Sequence, residues 1–239
     1  LGDVGRAIPL LQRALDGRRA KLLPGHPDLL ASLNNLAGAY AAGGQFEPAL
    51  PLLDEALTMA REKLGPENPY TVALIANLAA ICESAGKLRR AEALNRESIA
   101  LALARRDASA RALATSSLGA CLLKRKAWAA AEPVLREGLA LCEAEFPDGW
   151  ATFATKSMLG AALLGRGDPS AAEPFLRDGY AGLTRRADKI PPRSRSQIAD
   201  ALDRLDALAE AQDKPDEAAK WRAEKARLGA EAKPPAEGK

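Results

Sequence analysis

The chain has 239 residues, 47% of them apolar but only 4% aromatic, and its 34 lysines and arginines against 31 aspartates and glutamates leave a formal charge of +3. So small a surplus, spread along the whole length, argues against a nucleic-acid-binding stripe, and no apolar run reaches the roughly 18 to 20 residues of a membrane span. A core with so few large rings must be built from alanine and leucine, which suits close-packed helices.

The opening Leu1-Gly2-Asp3-Val4-Gly5-Arg6 does not read as a signal peptide. A motif follows at Ala7-Ile8-Pro9-Leu10-Leu11 and returns as Ala49-Leu50-Pro51-Leu52-Leu53, Ala131-Glu132-Pro133-Val134-Leu135 and Ala172-Glu173-Pro174-Phe175-Leu176. Its small residue recurs at Ala7, Ala49, Ala91, Ala131, Ala172 and Ala218, at intervals by subtraction of 42, 42, 40, 41 and 46. In the second copy Ala49, Leu50, Leu53, Ala56, Leu57 and Ala60 mark one face of a helix, here termed helix B. The prolines fall in or just past its first turn, where a missing backbone donor costs least.

Each full copy begins with another helix, A. In Leu33-Asn34-Asn35-Leu36-Ala37-Gly38-Ala39-Tyr40 the residues Leu33, Leu36, Ala37 and Tyr40 fall at i, i+3, i+4 and i+7. Equivalent segments are Ile75 to Cys82, Thr115 to Leu122, Lys156 to Leu163 and Leu202 to Ala209. Between A and B stand Gly43-Gly44, Gly86, Gly165 and Gly167, expected to supply the left-handed conformation that ends a helix. Pro24-Gly25-His26-Pro27-Asp28, Gly65-Pro66-Glu67-Asn68-Pro69 and Phe146-Pro147-Asp148-Gly149 link the copies, with Asp28 placed to cap the next helix.

The expected organisation is an all-α array of antiparallel helix pairs. It comprises a partial repeat with helix B only (1–23), repeats at 29–63, 71–104, 109–145 and 151–186, a basic linker (187–196), a charged C-terminal capping hairpin (197–228) and a disordered tail (229–239). Leu1 is not preceded by methionine and the first copy lacks helix A, so the chain is expected to be a fragment cut inside a repeat.

Signatures of catalysis are missing: no GxGxxG, Walker, GxSxG or HExxH sequence and no kinase catalytic loop occurs. The single His26 belongs to a linker turn, and Glu132 and Glu173 recur at equivalent repeat positions, as structural or solvated residues do. Cys82, Cys121 and Cys142 lack CxxC spacing and sit among apolar residues, so they read as buried thiols in a reducing, cytoplasmic compartment. Trp128, Trp150 and Trp221 are expected to pack between copies. The basic stretch Arg185, Arg186, Lys189, Arg193 and Arg195 reads as a solvated loop. No enzyme activity, cofactor or metal is expected.

Leucine and a small residue in helix A, with an alanine followed by a bulky residue in helix B, resemble the tetratricopeptide signature. The period near 42, the His26-Pro27-Asp28 linker and Leu33-Asn34-Asn35-Leu36-Ala37 look like the kinesin light chain type, strongly over Gly2 to Ala104. Departures come later: the linker after Ala104 lacks Gly-Pro, Lys156 takes a place usually apolar, and Asp206 replaces a small residue. The resemblance implies a right-handed superhelical solenoid whose stacked A helices line a concave groove for a protein or peptide, a scaffold role. A second reading remains open: the ending Lys214-Pro215-Asp216-Glu217-Ala218-Ala219-Lys220-Trp221-Arg222 resembles arrays at the C-terminus of bacterial serine/threonine protein kinases, which would make this a sensory or regulatory part covalently linked to upstream domains. An alanine- and arginine-rich composition agrees with a bacterial source.

Helical rotation selects the face of A opposite the core. It carries Ala31, Asn35, Gly38 and Ala42, then Ala73, Asn77, Ala80 and Ser84, then Leu113, Ser117, Ala120 and Lys124. Later copies place Ala154, Met158, Ala161 and Gly165, then Asp200, Arg204, Ala207 and Ala211 there. The expected binding residues are Asn35, Asn77 and Ser117, able to donate and accept hydrogen bonds, with Ser84, Lys124 and Arg204.

Overall fold

The computed structural model describes residues 4–191 and 194–231, and among these every regular element is helical. In chain order the α-helices are α1 Val4–Arg19, α2 Pro27–Ala42, α3 Phe46–Leu64, α4 Pro69–Ser84, α5 Leu88–Ala104, α6 Ala108–Lys124, α7 Trp128–Glu145, α8 Trp150–Gly165, α9 Pro169–Thr184, α10 Ser196–Ala211 and α11 Pro215–Glu231. Thus α2, α4, α6, α8 and α10 are A helices and the odd-numbered ones are B. Arg193 and residues 232–239 of the expected tail lie outside the described residues, while α11 runs through 229–231.

Two compact units divide the chain, 1–114 and 115–239. In the first, Leu15, Leu30, Leu33, Leu36, Leu53, Leu74, Ile75 and Leu78 are fully buried. Each such leucine removed from water contributes about 1.5–3 kcal/mol. Five of the six motif alanines are buried as well, Ala49, Ala91, Ala131 and Ala172 at 0% exposure and Ala218 at 2%, so a larger side chain there would separate A from B, while Ala7 is half-buried.

One turn joins A to B in every pair, always three residues long: 43–45, 85–87, 125–127, 166–168 and 212–214. The middle residue is left-handed throughout, at Gly44, Gly86, Lys126, Gly167 and Asp213, with φ of 73°, 73°, 57°, 86° and 54°. The next N–H closes a bond five residues back, Gln45 to Tyr40, Lys87 to Cys82, Ala127 to Leu122, Asp168 to Leu163 and Lys214 to Ala209, which is the Schellman arrangement. Glycine supplies the conformation in three copies, but Lys126 and Asp213 adopt it with a side chain. Gly43 (φ −84°) and Gly165, the last residue of α8, do not take the left-handed role expected of them.

The caps also differ in detail from the sequence reading. His26, not Asp28, caps α2, its Nδ1 accepting from the Asp28 N–H at 3.1 Å, which puts Asp28 inside the first turn. Asn68 caps α4 and Asp168 caps α9 in the same way, each at 2.9 Å. Pro9, Pro51, Pro133 and Pro174 are each the sixth residue of their helix, just past the first turn's unbonded donors, and the helices continue through them.

In the second unit α8 is buried on nearly every side, including Phe153, Ala154, Ser157, Met158 and Leu159. Glycines allow this close approach: a Cβ on Gly179 would stand 2.7 Å from the Ser157 backbone N, one on Gly160 2.6 Å from Leu176 Cγ, and one on Gly182 would overlap the Phe153 ring. A buried hydroxyl network joins three helices, with Thr155 Oγ1 donating to Ser116 Oγ at 3.0 Å beside Cys142 Sγ. Where the repeat pattern lapses, charge pairs compensate. Lys156 Nζ donates to Asp178 at 2.7 Å, and Asp206 accepts from Arg222 Nε at 2.9 Å.

Candidate functional site

In the first unit the face opposite the core is open as rotation requires. Asn35, Gly38 and Ala42 on α2 and Ala73, Ala80 and Ser84 on α4 are exposed, while Asn77 is half-buried. Asn77 Nδ2 donates to Asn34 Oδ1 at 2.9 Å. Its partner is therefore Asn34 rather than the repeat-equivalent Asn35, because neighbouring A helices do not set equivalent positions side by side. Asn34 went unassigned in the sequence although it adjoins Asn35. Ser84 turns its hydroxyl back onto the Ala80 carbonyl at 3.0 Å, which occupies its proton within its own helix.

In the second unit Ser117 is exposed on α6, but α8 departs from expectation. Ala154 and Met158 are only 3% and 5% exposed, because α10 packs on that side of α8. Lys124 and Arg204 instead come together on a cleft of 640 Å³ between α6, α8 and α10. Its apolar wall is Trp128, Ala161 and Leu164, and Asp200 and Asp203 also line it. The Trp128 indole lies over Gly165, where any Cβ would collide with the ring, so a residue read as a helix terminator is the seat of an aromatic wall.

Electrostatically the cleft is strained. Arg204 Nη1 donates to Ser157 Oγ at 3.0 Å, and among the described residues no carboxylate lies within ion-pairing distance of it. Burial pushes the Arg204 guanidinium below the ordinary arginine range, against the opposing pull of Asp200 and Asp203. Burial likewise raises the Asp200 carboxyl, although Arg204 and Lys124 act to lower it. Asp203 is engaged by Lys225.

Two other tryptophans and one arginine of the basic stretch have structural partners. Trp221 meets Tyr180 edge-on at 5.6 Å between ring centroids, and Trp150 packs on the Phe153 cluster. Arg186, expected in a solvated loop, stacks 4.2 Å over the Phe153 ring and donates to the Asp148 carbonyl at 2.7 Å. Cys82, Cys121 and Cys142 are all buried, and burial pushes the Cys82 thiol up. Among the described residues no group of three or more His, Cys, Asp or Glu is disposed to hold a metal ion, and no helix is long and apolar enough to cross a membrane.

Antiparallel helix pairs joined by one recurring turn and registered on one buried alanine define a helical-repeat protein. The tetratricopeptide repeat model matches residues 1–62 and 49–104, so this stretch carries tetratricopeptide repeats. The whole fold is that of kinesin light chain-like repeat proteins. A putative kinesin light chain with nearly identical TPR-like repeats from Podosopora anserina superposes with a TM-score of 0.67 at 23% identity, over 79% of this chain and 89% of that one. BtubC (BKLC) from P. vanneervenii gives 0.71 at 16% identity over 100% and 96%. A Rap protein complexed with Competence and Sporulation Factor gives 0.62 at 15% identity over 94% and 69%. No curated protein matches the sequence.

Proposed function

We propose that the chain is a protein-interaction module that binds an extended or helical peptide on the A-helix face of α2 and α4. One observation carries this reading: an exposed surface of small residues, Gly38, Ala42, Ala73 and Ala80, surrounds the amides of Asn35 and Asn77. Small side chains let a partner backbone come close, and an amide offers that backbone both a donor and an acceptor. In support, a Rap protein of similar fold has been solved complexed with Competence and Sporulation Factor. The step from fold to function is one of analogy. In this reading the chain binds a partner and turns over no substrate.

Few charges lie on this face, so binding is expected to be only mildly sensitive to salt. The test selects peptides from a displayed random library and measures them by calorimetry against the Asn35→Ala, Asn77→Ala double variant. Affinity should fall about tenfold, as for loss of one or two buried hydrogen bonds. Unchanged affinity in a folded variant would move the site off α2 and α4.

A further inference from the structure

The cleft of the second unit has a chemistry that the peptide face of the first unit lacks. We propose that it binds a small organic anion with a flat apolar body, the carboxylate or phosphate held by Arg204 and Lys124 and the body laid against Trp128. The site is independent of the peptide-binding reading.

Arg204 gives the main reason. A guanidinium has five donors arranged for a planar oxyanion, yet among the described residues this one makes a single hydrogen bond, to the neutral Ser157 hydroxyl, and has no carboxylate within ion-pairing distance. Asp200 and Asp203 act on it only from beyond ion-pairing distance, so most of its donors are left for an entering anion. Lys124 adds a second positive charge to the same cleft.

The two aspartates do not reverse this preference. Asp203 is already neutralised by Lys225. Asp200 faces Lys124 and Arg204 in the same cleft, and both cations act on its charge. A cationic ligand, by contrast, would meet Lys124 and Arg204 directly.

Shape selects the rest of the ligand. At 640 Å³ the cleft falls within the roughly 300–1,000 Å³ of small-molecule sites. Trp128, Leu164 and Ala161 form one side, and Gly165 holds the indole in place because no other residue fits beneath it. A polar head on the α10 side and an apolar body on the α8 side match that division.

The probes are 2-naphthoate and 2-naphthyl phosphate, with neutral 2-naphthamide as control, titrated into the intact chain while the Trp128 indole N–H resonance is followed by NMR. An anion should bind at least about tenfold tighter than the amide, the scale of a charge-assisted hydrogen bond, and the tighter of the two anions identifies the head group. Arg204→Gln should abolish that preference and Lys124→Gln should reduce it. Should Arg204→Gln unfold the chain, Lys124→Gln decides, since Lys124 is exposed at the end of α6. Binding of neither anion at millimolar concentration, equal binding of the amide, or a preference unchanged in folded Lys124→Gln overturns the proposal.

Discussion

Asn77 on α4 donates from Nδ2 to Oδ1 of Asn34 on α2 at 2.9 Å, across 43 positions of sequence. The bond ties one repeat to the next at the edge of the candidate peptide face. Alanine at either position should cost about 1 kcal/mol, and the double variant should cost less than the sum, because the second substitution has no bond left to break. Urea denaturation of the four proteins in this cycle measures the coupling. A value indistinguishable from zero would mean that the bond does not persist in solution.

Lys126 holds a left-handed conformation, φ 57°, at the place where three other copies use glycine. A side chain in that region costs about 1 kcal/mol. Lys126→Gly should therefore raise stability by about that much, a reversal of the usual penalty for introducing glycine. Gly86→Ala, at φ 73°, should lower stability by a similar amount. Equilibrium unfolding midpoints of the two variants should move in opposite directions.

Glycines inside the helices divide into two kinds. Gly182 on α9 lies against the Phe153 ring, with no room for a Cβ, whereas Gly38 on α2 has nothing within 4 Å. Gly182→Ala should destabilise by about 1–3 kcal/mol through overpacking, while Gly38→Ala should stabilise by about 0.5–1 kcal/mol through helix propensity. Gly38→Ala also adds a methyl to the proposed peptide face, so its peptide affinity should drop although the protein is firmer.

Asp200 provides a pH test. Its carboxyl is raised in the folded chain, chiefly by burial, so the folded state holds that proton more tightly than the unfolded state does. Stability from this group is therefore greatest below the ordinary carboxylate range and is lost as pH rises through the raised value. Asp200→Asn should be more stable than the parent at neutral pH, and the difference should vanish in acid. An advantage that persists unchanged in acid would show that charge burial is not its source.

Much of the first unit could be read directly from sequence. The face Ala49, Leu50, Leu53, Ala56, Leu57 and Ala60 is buried as its spacing implies, because each helix there packs a single stripe against its neighbours. The second unit was harder to read. A period fixes which face points inward but not whether another helix covers the opposite face, and α10 covers α8 where Ala154 and Met158 were expected to be accessible. Lys126 and Asp213 stood in for glycine at turns that a search for glycine passes over. Of the candidate site, the exposure of Asn35 followed from rotation alone. The pairing of Asn77 with Asn34 depends on how the helices are offset, and the joining of Lys124 to Arg204 depends on packing across 80 positions by subtraction, which no local pattern encodes.

The turns from A to B never change length, while the connections from B to the next A run through 20–26, 65–68, 105–107, 146–149 and 185–195. The intervals between copies therefore vary through the helix lengths and these connections, never through the turn within a pair. Each helix pair behaves as a module with a fixed hinge, coupled to the next by a joint of adjustable length. Extra residues placed between α9 and α10 would leave both modules intact, whereas one residue inserted at 125–127 would rotate α7 out of register with its own A helix. New segments, whether loops, tags or whole domains, belong in the joints.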